Sequence, residues 1–511
     1  MSWKNQAEKF LKEAEKYQLG TLPTESSHPE TRNLSEWSQH DLPKALSELK
    51  RLDLYVLEVL LKNTDKIHQL FDEVQQAFLG GDRVFICGCG ATGRLALTIE
   101  ALWRRLHPGS EQVFSFMAGG DIALVHSLEG FEDYPEYGAR HLEQVGFRQG
   151  DLLIAVTEGG ETPYVIGAAL RAAELTQRPT FFLYCNPREM LLQRVERSAK
   201  VFNNPKIVDQ EYFVGPMALS GSTRMQASTA LELVVGLALL SKNKDQMDQS
   251  LKSFYEEYSR FAVEPLKGFI EKESRIYLES GYLLYSAADY AMTVFTDTTE
   301  RSPTFSLTPF EPLKGEQLKF GRPSLSYVML DRTDTPIEAW ESLLCRKPRC
   351  LDWKEIDIET TEEYLLSFDF SCKVKGVRQS YLQLQEQILF SIKNKNERID
   401  WSLEEENWSI PKPQQGLLYE HILLKMLLNM HSTLVMGRLQ RYIGNQMTWV
   451  RPSNGKLIDR AARYLISIQE QRSGSLISYS RAVELIFEAK ALVQKDQSVV
   501  LWALDKLSKE I

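Results

Sequence analysis

A glycine-rich loop at Gly88–Gly93 combines three glycines with the hydroxyl of Thr92. Glycines let backbone N–H groups approach an anion, and the helix that follows adds its positive end. The glycines have the Gly-x-Gly-x-x-Gly spacing of a dinucleotide fingerprint, but no acidic residue closes a second strand about 20 residues later, as that fingerprint requires. The loop therefore indicates either an anion site or plain packing of a strand against a helix.

The segment Glu158-Gly-Gly-Glu161 places two carboxylates directly before Thr162-Pro163. Its position at a predicted helix start indicates an anion or sugar site. Two carboxylates there would repel a phosphate, by about 1 kcal/mol each in wet surroundings. Acidic residues near a helix start also stabilise the helix itself, which leaves a purely structural interpretation open.

A second acidic segment, Leu128–Asp133, contains Glu129, Glu132 and Asp133. Carboxylates of this kind can act as a general base or bind sugar hydroxyls. The alternative is a solvated acidic loop.

A cluster of hydroxyls precedes a long predicted helix in the segment Gly215–Met225. Its polar members are Ser220, Ser222, Thr223 and Arg224. One hydroxyl is enough to cap a helix. Three hydroxyls and an arginine therefore favour an anion or sugar site.

These segments follow apolar runs that predict β-strands at 83–87, 112–116, 151–156 and 180–184, with a further strand at Lys200–Phe202. Helical patterns cover Arg94–Leu106, the residues from Thr162 through Ala173, and Thr223–Leu240. Alternating strands and helices predict an α/β fold with a doubly wound parallel sheet.

The pattern starts again at Leu278, with strands at Gly281–Tyr285 and Ser324–Leu330. Thr-Pro recurs at a strand-to-helix junction, at 162–163 and at 335–336, which indicates either an internal repeat or two independent helix caps. From Gly416 the chain is predicted to be helical. We therefore predict an N-terminal helical arm (1–44), two α/β domains (45–250 and 251–456) and a small C-terminal helical cap (457–511).

The composition excludes several classes of function. The 511 residues include 60 Lys and Arg against 69 Asp and Glu, a net charge of −9, which argues against nucleic-acid binding. No apolar run reaches about 18 residues, so no membrane span is expected, and the polar N-terminus is unlike a signal peptide. Six cysteines without zinc spacing predict a reduced cytoplasmic protein, and no metal or other cofactor is expected.

Taken in order, the segments resemble the sugar isomerase (SIS) domain group of N-acetylmuramic acid 6-phosphate etherases and glucokinase regulatory proteins. The matching pieces are Thr24-Glu25, Pro29-Glu-Thr31, Gly88–Leu95, Ala118-Gly-Gly120, Glu129–Asp133, Thr162–Gly167, Cys185-Asn-Pro187 and Leu219–Met225. In the second half, Asp297–Phe305 resembles an etherase segment, and Ser453–Lys456 resembles the family's lysine motif.

The resemblance implies two SIS domains that form a pseudo-dimer within one chain, with one ligand site between them. Glu300 falls where the etherases have their catalytic acid, whereas the same place in the first half is Leu102. In the second half, Ser286–Tyr290 replaces the glycine loop. The implied ligand-binding residues are Gly90, Ala91, Thr92, Gly93, Glu132, Gly159, Gly160, Glu161, Ser220, Ser222, Thr223, Glu300 and Lys456.

Three functions are compatible with this resemblance. A regulator would bind a sugar phosphate and associate with a hexose kinase. An etherase-type lyase would use Glu132 to remove the sugar C2 proton and Glu300 to protonate the departing lactate oxygen. A degenerate scaffold would bind no sugar phosphate. The family's Ser-Gly-Arg before Thr-Pro-Tyr is Gly159-Gly-Glu161 here, so an uncharged or amino sugar would suit Glu158 and Glu161 better than a phosphate.

Overall fold

A computed structural model describes residues 2–17, 19–128, 130–313, 322–382, 384–494 and 497–510. Glu129 of the predicted acidic segment lies outside these residues. The helices are α1 Trp3–Glu13, α2 Leu34–His40, α3 Leu42–Leu61, α4 Thr64–Leu79, α5 Ala91–Leu106, α6 Pro135–Gln144, α7 Pro163–Leu175, α8 Arg188–Arg194, α9 Glu196–Phe202, α10 Gln226–Leu240, α11 Lys244–Arg260, α12 Leu266–Leu278, α13 Ala291–Phe305, α14 Pro336–Leu344, α15 Glu362–Leu365, α16 Val374–Leu382, α17 Leu417–Arg438, α18 Gly455–Ser473, α19 Tyr479–Leu492 and α20 Val499–Glu510.

The first sheet consists of five parallel strands in the order β2-β1-β3-β4-β5. The strands are β1 Val84–Gly88, β2 Val113–Met117, β3 Leu152–Val156, β4 Thr180–Tyr184 and β5 Ile207–Glu211. Helices cover both faces, so β1, β3 and β4 are buried along their whole length.

The strand predicted at Lys200–Phe202 is wrong, because these residues end helix α9. Ser198, Val201 and Phe202 are the buried residues of that helix, and their spacing of three and one is helical rather than alternating. The fifth strand begins at Ile207 and pairs in parallel with β4.

The second sheet has the order β10-β9-β8-β6-β7. Its strands are β6 Tyr282–Ser286, β7 Ser326–Met329, β8 Gln387–Lys395, β9 Arg398–Leu403 and β10 Glu406–Pro411. Strand β6 pairs in parallel with β7 and β8, as β1 does with β2 and β3. Beyond β8 the sheet continues as an antiparallel meander, which the sequence patterns did not predict.

The two Thr-Pro pairs occupy different places in the repeat. Both start helices, since Pro163 is the first residue of α7 and Pro336 is the first of α14. However, α7 follows β3, whereas α14 follows β7, the counterpart of β2. The pairs are therefore two independent helix starts, and the internal repeat lies in the strand order instead.

The two α/β domains pack through helices. Helix α5 of the first domain contacts α13 of the second, and α10 contacts α17. Every residue of α10 except its last is buried, as expected for a helix that is apolar on all sides. Helices α18, α19 and α20 form the C-terminal cap, which packs on α1. The predicted domain limits stay a proposal, and they fall within α3, α11 and α18.

A buried ionic cluster also joins the domains. Glu100 of α5 accepts hydrogen bonds from Arg349 Nη2 at 2.9 Å and Arg346 Nε at 3.0 Å, both from the loop after α14. Arg346 also pairs with Asp121. Burial alone would raise the pKa of Glu100, but the two arginines outweigh burial and lower it to about 2.

Within the described part of the chain, no helix is both long and apolar enough to cross a membrane. No group of three or more His, Cys, Asp or Glu side chains among those residues is placed to hold a metal ion. All six cysteines are free thiols.

The ion pairs of Glu100 should contribute to the free energy of unfolding. Glu100→Gln should lower the free energy of unfolding at pH 7 by about 3 kcal/mol, because it removes a charge partner from the buried Arg346 side chain and from the partly buried Arg349. The loss should shrink between pH 4.5 and pH 2, since the wild-type carboxylate becomes protonated as the pH falls through that window. Urea denaturation measures both effects.

The matched control is Glu111→Gln, which changes an exposed glutamate shortly after the same helix. Equal stability of the two variants at pH 7 would contradict the role of Glu100.

Candidate functional site

The loop between β1 and α5 is shaped by its glycines and by one internal hydroxyl. Gly90 has a φ of +57°, in the region that favours glycine. A Cβ on Gly93 would lie 2.6 Å from the Met117 Cβ, so only glycine fits there. Thr92 was predicted to offer its hydroxyl to a ligand, but that hydroxyl is buried and donates to the Cys89 carbonyl at 3.0 Å. Its role is to hold the loop.

Glu132 lies between this loop and the start of α18. Its Oε1 accepts a hydrogen bond from Asn454 Nδ2 at 3.1 Å, and its Oε2 is 3.8 Å from the Cys89 Sγ. Burial raises the pKa of Glu132, and the positive charge of Lys456 offsets only part of that rise. A partly buried carboxylate with a raised pKa is a stronger base than an ordinary glutamate, which suits it to accept a proton from a substrate.

Glu158 follows β3 and is almost fully buried. Its Oε1 accepts a hydrogen bond from Ser228 Oγ at 2.8 Å. Among the described residues, no Lys or Arg nitrogen lies within ion-pairing distance of it. Burial raises the pKa of Glu158 to about 6, despite the hydrogen bond from Ser228.

Glu161 is also buried, but its carboxylate is neutralised. Lys456 Nζ lies 2.7 Å from Glu161 Oε1, and Arg197 pairs with Oε2. Burial alone would raise the pKa of Glu161, yet these two cations lower it to about 2. Two hydrogen bonds fix the loop around Glu161. The Gly159 carbonyl accepts one from Asn186 Nδ2, and the Gly160 carbonyl accepts the other from Ser198 Oγ.

The cap is attached to the site by Glu25, which belongs to the first segment of the resemblance. Both oxygens of Glu25 accept hydrogen bonds from Arg460, at 2.7 and 2.9 Å. Lys456 Nζ is 3.7 Å and Arg463 Nη2 is 3.6 Å from the same carboxylate. Helix α18 therefore brings three cations to the edge of the first domain.

The second domain supplies Glu300 from α13. Arg94 Nη1 lies 2.5 Å from Glu300 Oε1, and Arg94 Nε donates to Thr299 Oγ1 at 3.1 Å. One turn before Glu300, Asp297 pairs with Arg224 at 3.0 Å. Two ion pairs thus fix α13 against helix α5 and the loop before α10 in the first domain.

The three predicted hydroxyls of the segment before α10 differ in what they do. Ser220 Oγ donates to the Glu25 carbonyl at 2.8 Å and is used within the protein. Ser222 Oγ is buried and has no hydrogen-bond partner among the described residues, which leaves it free for a ligand. Thr223 is half-buried.

The structure therefore brings Glu132, Glu161, Glu300, Lys456 and the glycine loop into one polar cluster. Four members of this cluster were not predicted as site residues from the sequence: Arg94, Arg197, Ser228 and Asn454. Arg94 and Asn454 belong to segments of the resemblance, so the sequence carried a signal for them. Nothing in the sequence pattern indicated Arg197 or Ser228.

A two-domain α/β protein with its polar cluster between the domains is the class that this fold and site define. The family model of the glucokinase regulatory protein N-terminal SIS domain matches residues 64–173. An N-acetylmuramic acid 6-phosphate etherase of Actinobacillus pleuropneumoniae is 34% identical over 221 residues, which cover 43% of this chain and 67% of that protein. An etherase 2 of Vibrio cholerae is 31% identical over 220 residues, with the same coverage of both chains.

The chain therefore belongs to the family of N-acetylmuramic acid 6-phosphate etherases, and its residues 64–173 match the SIS domain of glucokinase regulatory protein. Among solved structures, it is similar to the C-terminal domain of glucosamine-fructose-6-phosphate aminotransferase from Francisella tularensis. That similarity has a TM-score of 0.40 at 10% identity and covers 78% of this chain and 96% of the other. So distant a likeness carries no conclusion about function.

The raised pKa of Glu158 predicts a pH-dependent cost in stability. The folded protein binds this proton more tightly than the unfolded chain, so ionised Glu158 destabilises the fold above about pH 6, by about 2 kcal/mol. Glu158→Gln should recover that amount at pH 8 and nothing at pH 4. Thermal unfolding at both values measures it, and equal stability of variant and wild type at pH 8 would contradict the burial of an ionised carboxylate.

Proposed function

We propose that the polar cluster is the active site of an etherase-type lyase acting on a sugar derivative. Glu132 takes the proton from C2, and the electron pair of that bond forms a double bond between C2 and C3. The bond from C3 to the ether oxygen then breaks, and the departing lactate oxygen takes a proton from Glu300, which must first take up that proton from solvent because it is ion-paired with Arg94 in the free protein. Arg94 holds Glu300 in place and is the counter-charge for the carboxylate that remains.

The state of Glu132 is the observation that carries this proposal. Three of the five glutamates of the cluster, Glu25, Glu161 and Glu300, have cationic partners within ion-pairing distance. Glu132 is held by the neutral amide of Asn454 instead, and its pKa is raised. A general base needs a pKa that approaches the working pH. Glu158 also has a raised pKa and, among the described residues, no cationic partner, but it is almost fully buried, whereas Glu132 is only partly buried and open to a substrate. Glu132 is therefore the carboxyl group best suited to that role.

The negative charge of Glu158 favours a ligand that has no phosphate group near this loop. Glu158 stands next to Gly159, which by the resemblance replaces a serine of the etherases, and a phosphate near this loop would meet the negative charge of Glu158 in a poorly solvated place. Among the described residues, the two cations beside this loop are already paired, Lys456 with Glu161 and Glu25 and Arg197 with Glu161. We therefore expect N-acetylmuramic acid to be a better substrate than its 6-phosphate.

Release of D-lactate tests the chemistry. Wild-type protein at near-stoichiometric concentration should release D-lactate from N-acetylmuramic acid, and Glu132→Gln should reduce the rate at least 100-fold, about the smallest contribution of general base catalysis. Glu111→Gln, which changes an exposed carboxylate, is the control for the substitution. Unchanged release by a folded Glu132→Gln variant, or no release by wild type from either sugar, would overturn the lyase proposal.

The choice of substrate is tested by Glu158→Ser. Removing this charge should raise kcat/KM for N-acetylmuramic acid 6-phosphate by about 10-fold or more, while the value for the unphosphorylated sugar changes little, because only the phosphate meets Glu158. Parallel assays of both sugars measure the ratio. A fall in kcat/KM for both would instead show that Glu158 binds the sugar itself.

A sugar-sensing regulator is the second candidate, favoured by the family model that matches residues 64–173. Such a protein would release no lactate, yet a sugar ligand would raise its melting temperature and promote a complex with a hexose kinase. The six free cysteines fit a reducing compartment such as the cytoplasm under either function. Kinase association is measured by co-sedimentation with and without sugar.

A further inference from the structure

A cavity of about 450 Å³ lies at the edge of the second sheet, away from the candidate active site. This volume is within the range of small-molecule sites. Its wall includes Asp289 from the loop after β6, Arg332 from the loop after β7, Asn394 of β8 and Glu420 of α17. The first domain contributes Arg105, the residue before the end of α5.

The cavity corresponds to the candidate active site in the pseudo-symmetry of the chain. The loop after β6 holds the place in the second sheet that Gly88–Gly93 holds in the first, because β6 and β1 have matching neighbours. Each site also receives a side chain from the other domain. Glu300 of α13 enters the first site, and Arg105 of α5 enters the second.

Arg105 gives this cavity an available positive charge. Its Nη1 donates to the Asp289 carbonyl oxygen at 2.6 Å, which fixes the guanidinium without neutralising it. Within the described part of the chain, no carboxylate lies within ion-pairing distance of Arg105. Arg332 stands at the exposed mouth, 3.5 Å from Asp289 Oδ1. A guanidinium held by a carbonyl retains N–H groups for a carboxylate or phosphate.

The wall also carries groups that bind hydroxyls. Glu420 accepts a hydrogen bond from Tyr290 OH at 3.0 Å, and its carboxylate lies 3.4 Å from Lys412 Nζ. Lys412 therefore balances the negative charge of Glu420. Asn394 and Ser342 add an amide and a hydroxyl. Such groups in a cavity with one anchored cation match a molecule that has several hydroxyls and one anionic group.

We propose that this cavity is a second ligand site, which binds a small hydroxylated molecule with one anionic group, such as a sugar phosphate. Arg105 contacts the anionic group, and Asn394 and Glu420 contact hydroxyls. This inference is independent of the lyase proposal, because it rests on a different cavity and on different residues.

Isothermal titration with fructose 6-phosphate, fructose and inorganic phosphate tests the site. Wild type should bind fructose 6-phosphate at least 10-fold more tightly than fructose, and Arg105→Gln should remove that difference. Asn394→Asp adds a negative charge to the wall and should weaken fructose 6-phosphate binding at least 10-fold. Because position 394 is exposed, this change should leave folding intact. Asn396→Asp, two residues further along in the β8–β9 turn, is the matched control and should bind as wild type does.

Lys456→Gln distinguishes the two sites, since it alters only the first. Fructose 6-phosphate binding that survives this change, yet is lost in Arg105→Gln and Asn394→Asp, supports the second site. No binding to wild type, full binding by both second-site variants, or loss of binding in Lys456→Gln alone would each overturn it. None of these outcomes depends on lactate release, so the two proposals fail separately.

Discussion

The ion pair between Arg94 and Glu300 is the contact on which the candidate active site depends. Arg94 belongs to the first domain and Glu300 to the second, and both side chains are largely buried, with 3% and 13% of their surface exposed. Separating a buried pair costs about 3–5 kcal/mol. The neighbouring pair of Arg224 and Asp297 bridges the same boundary. Helix α13 therefore cannot move away from the first domain without breaking two such contacts, and Glu300 stays beside the glycine loop.

The same helix contact explains why the two halves of the pseudo-dimer differ. Across the boundary, α5 has the buried Leu102 at the position equivalent to Glu300. Arg105, one turn further on, enters the other cavity instead. The first site thus collects carboxylates, and the cap supplies Lys456 and Arg460 to balance them. The equivalent loops of the two domains accordingly line two sites that hold different charged groups.

Local patterns were enough to predict strands β1 to β4, β6 and β7 and the glycine loop, because burial on both faces gives a strand a distinctive apolar run. Local patterns could not predict which residues far apart in the sequence would pair. Glu161 looked like a free carboxylate that repels phosphate, but Lys456 and Arg197 neutralise it. Thr92 and Ser220 looked like ligand-binding hydroxyls, but both are used inside the protein. A local sequence pattern contains no information on such partners, since they are fixed only when the domains and the cap pack.

The central claim is that one sugar contacts carboxyl groups from both domains at once. A crystal structure of Glu132→Gln, which retains the shape of the site, soaked with N-acetylmuramic acid tests this most directly. We expect density for the sugar with C2 facing residue 132 and with its ether oxygen about 3 Å from Glu300, which is hydrogen-bonding distance for proton transfer. Density that contacts only one domain, or that lies away from Glu300, would contradict it.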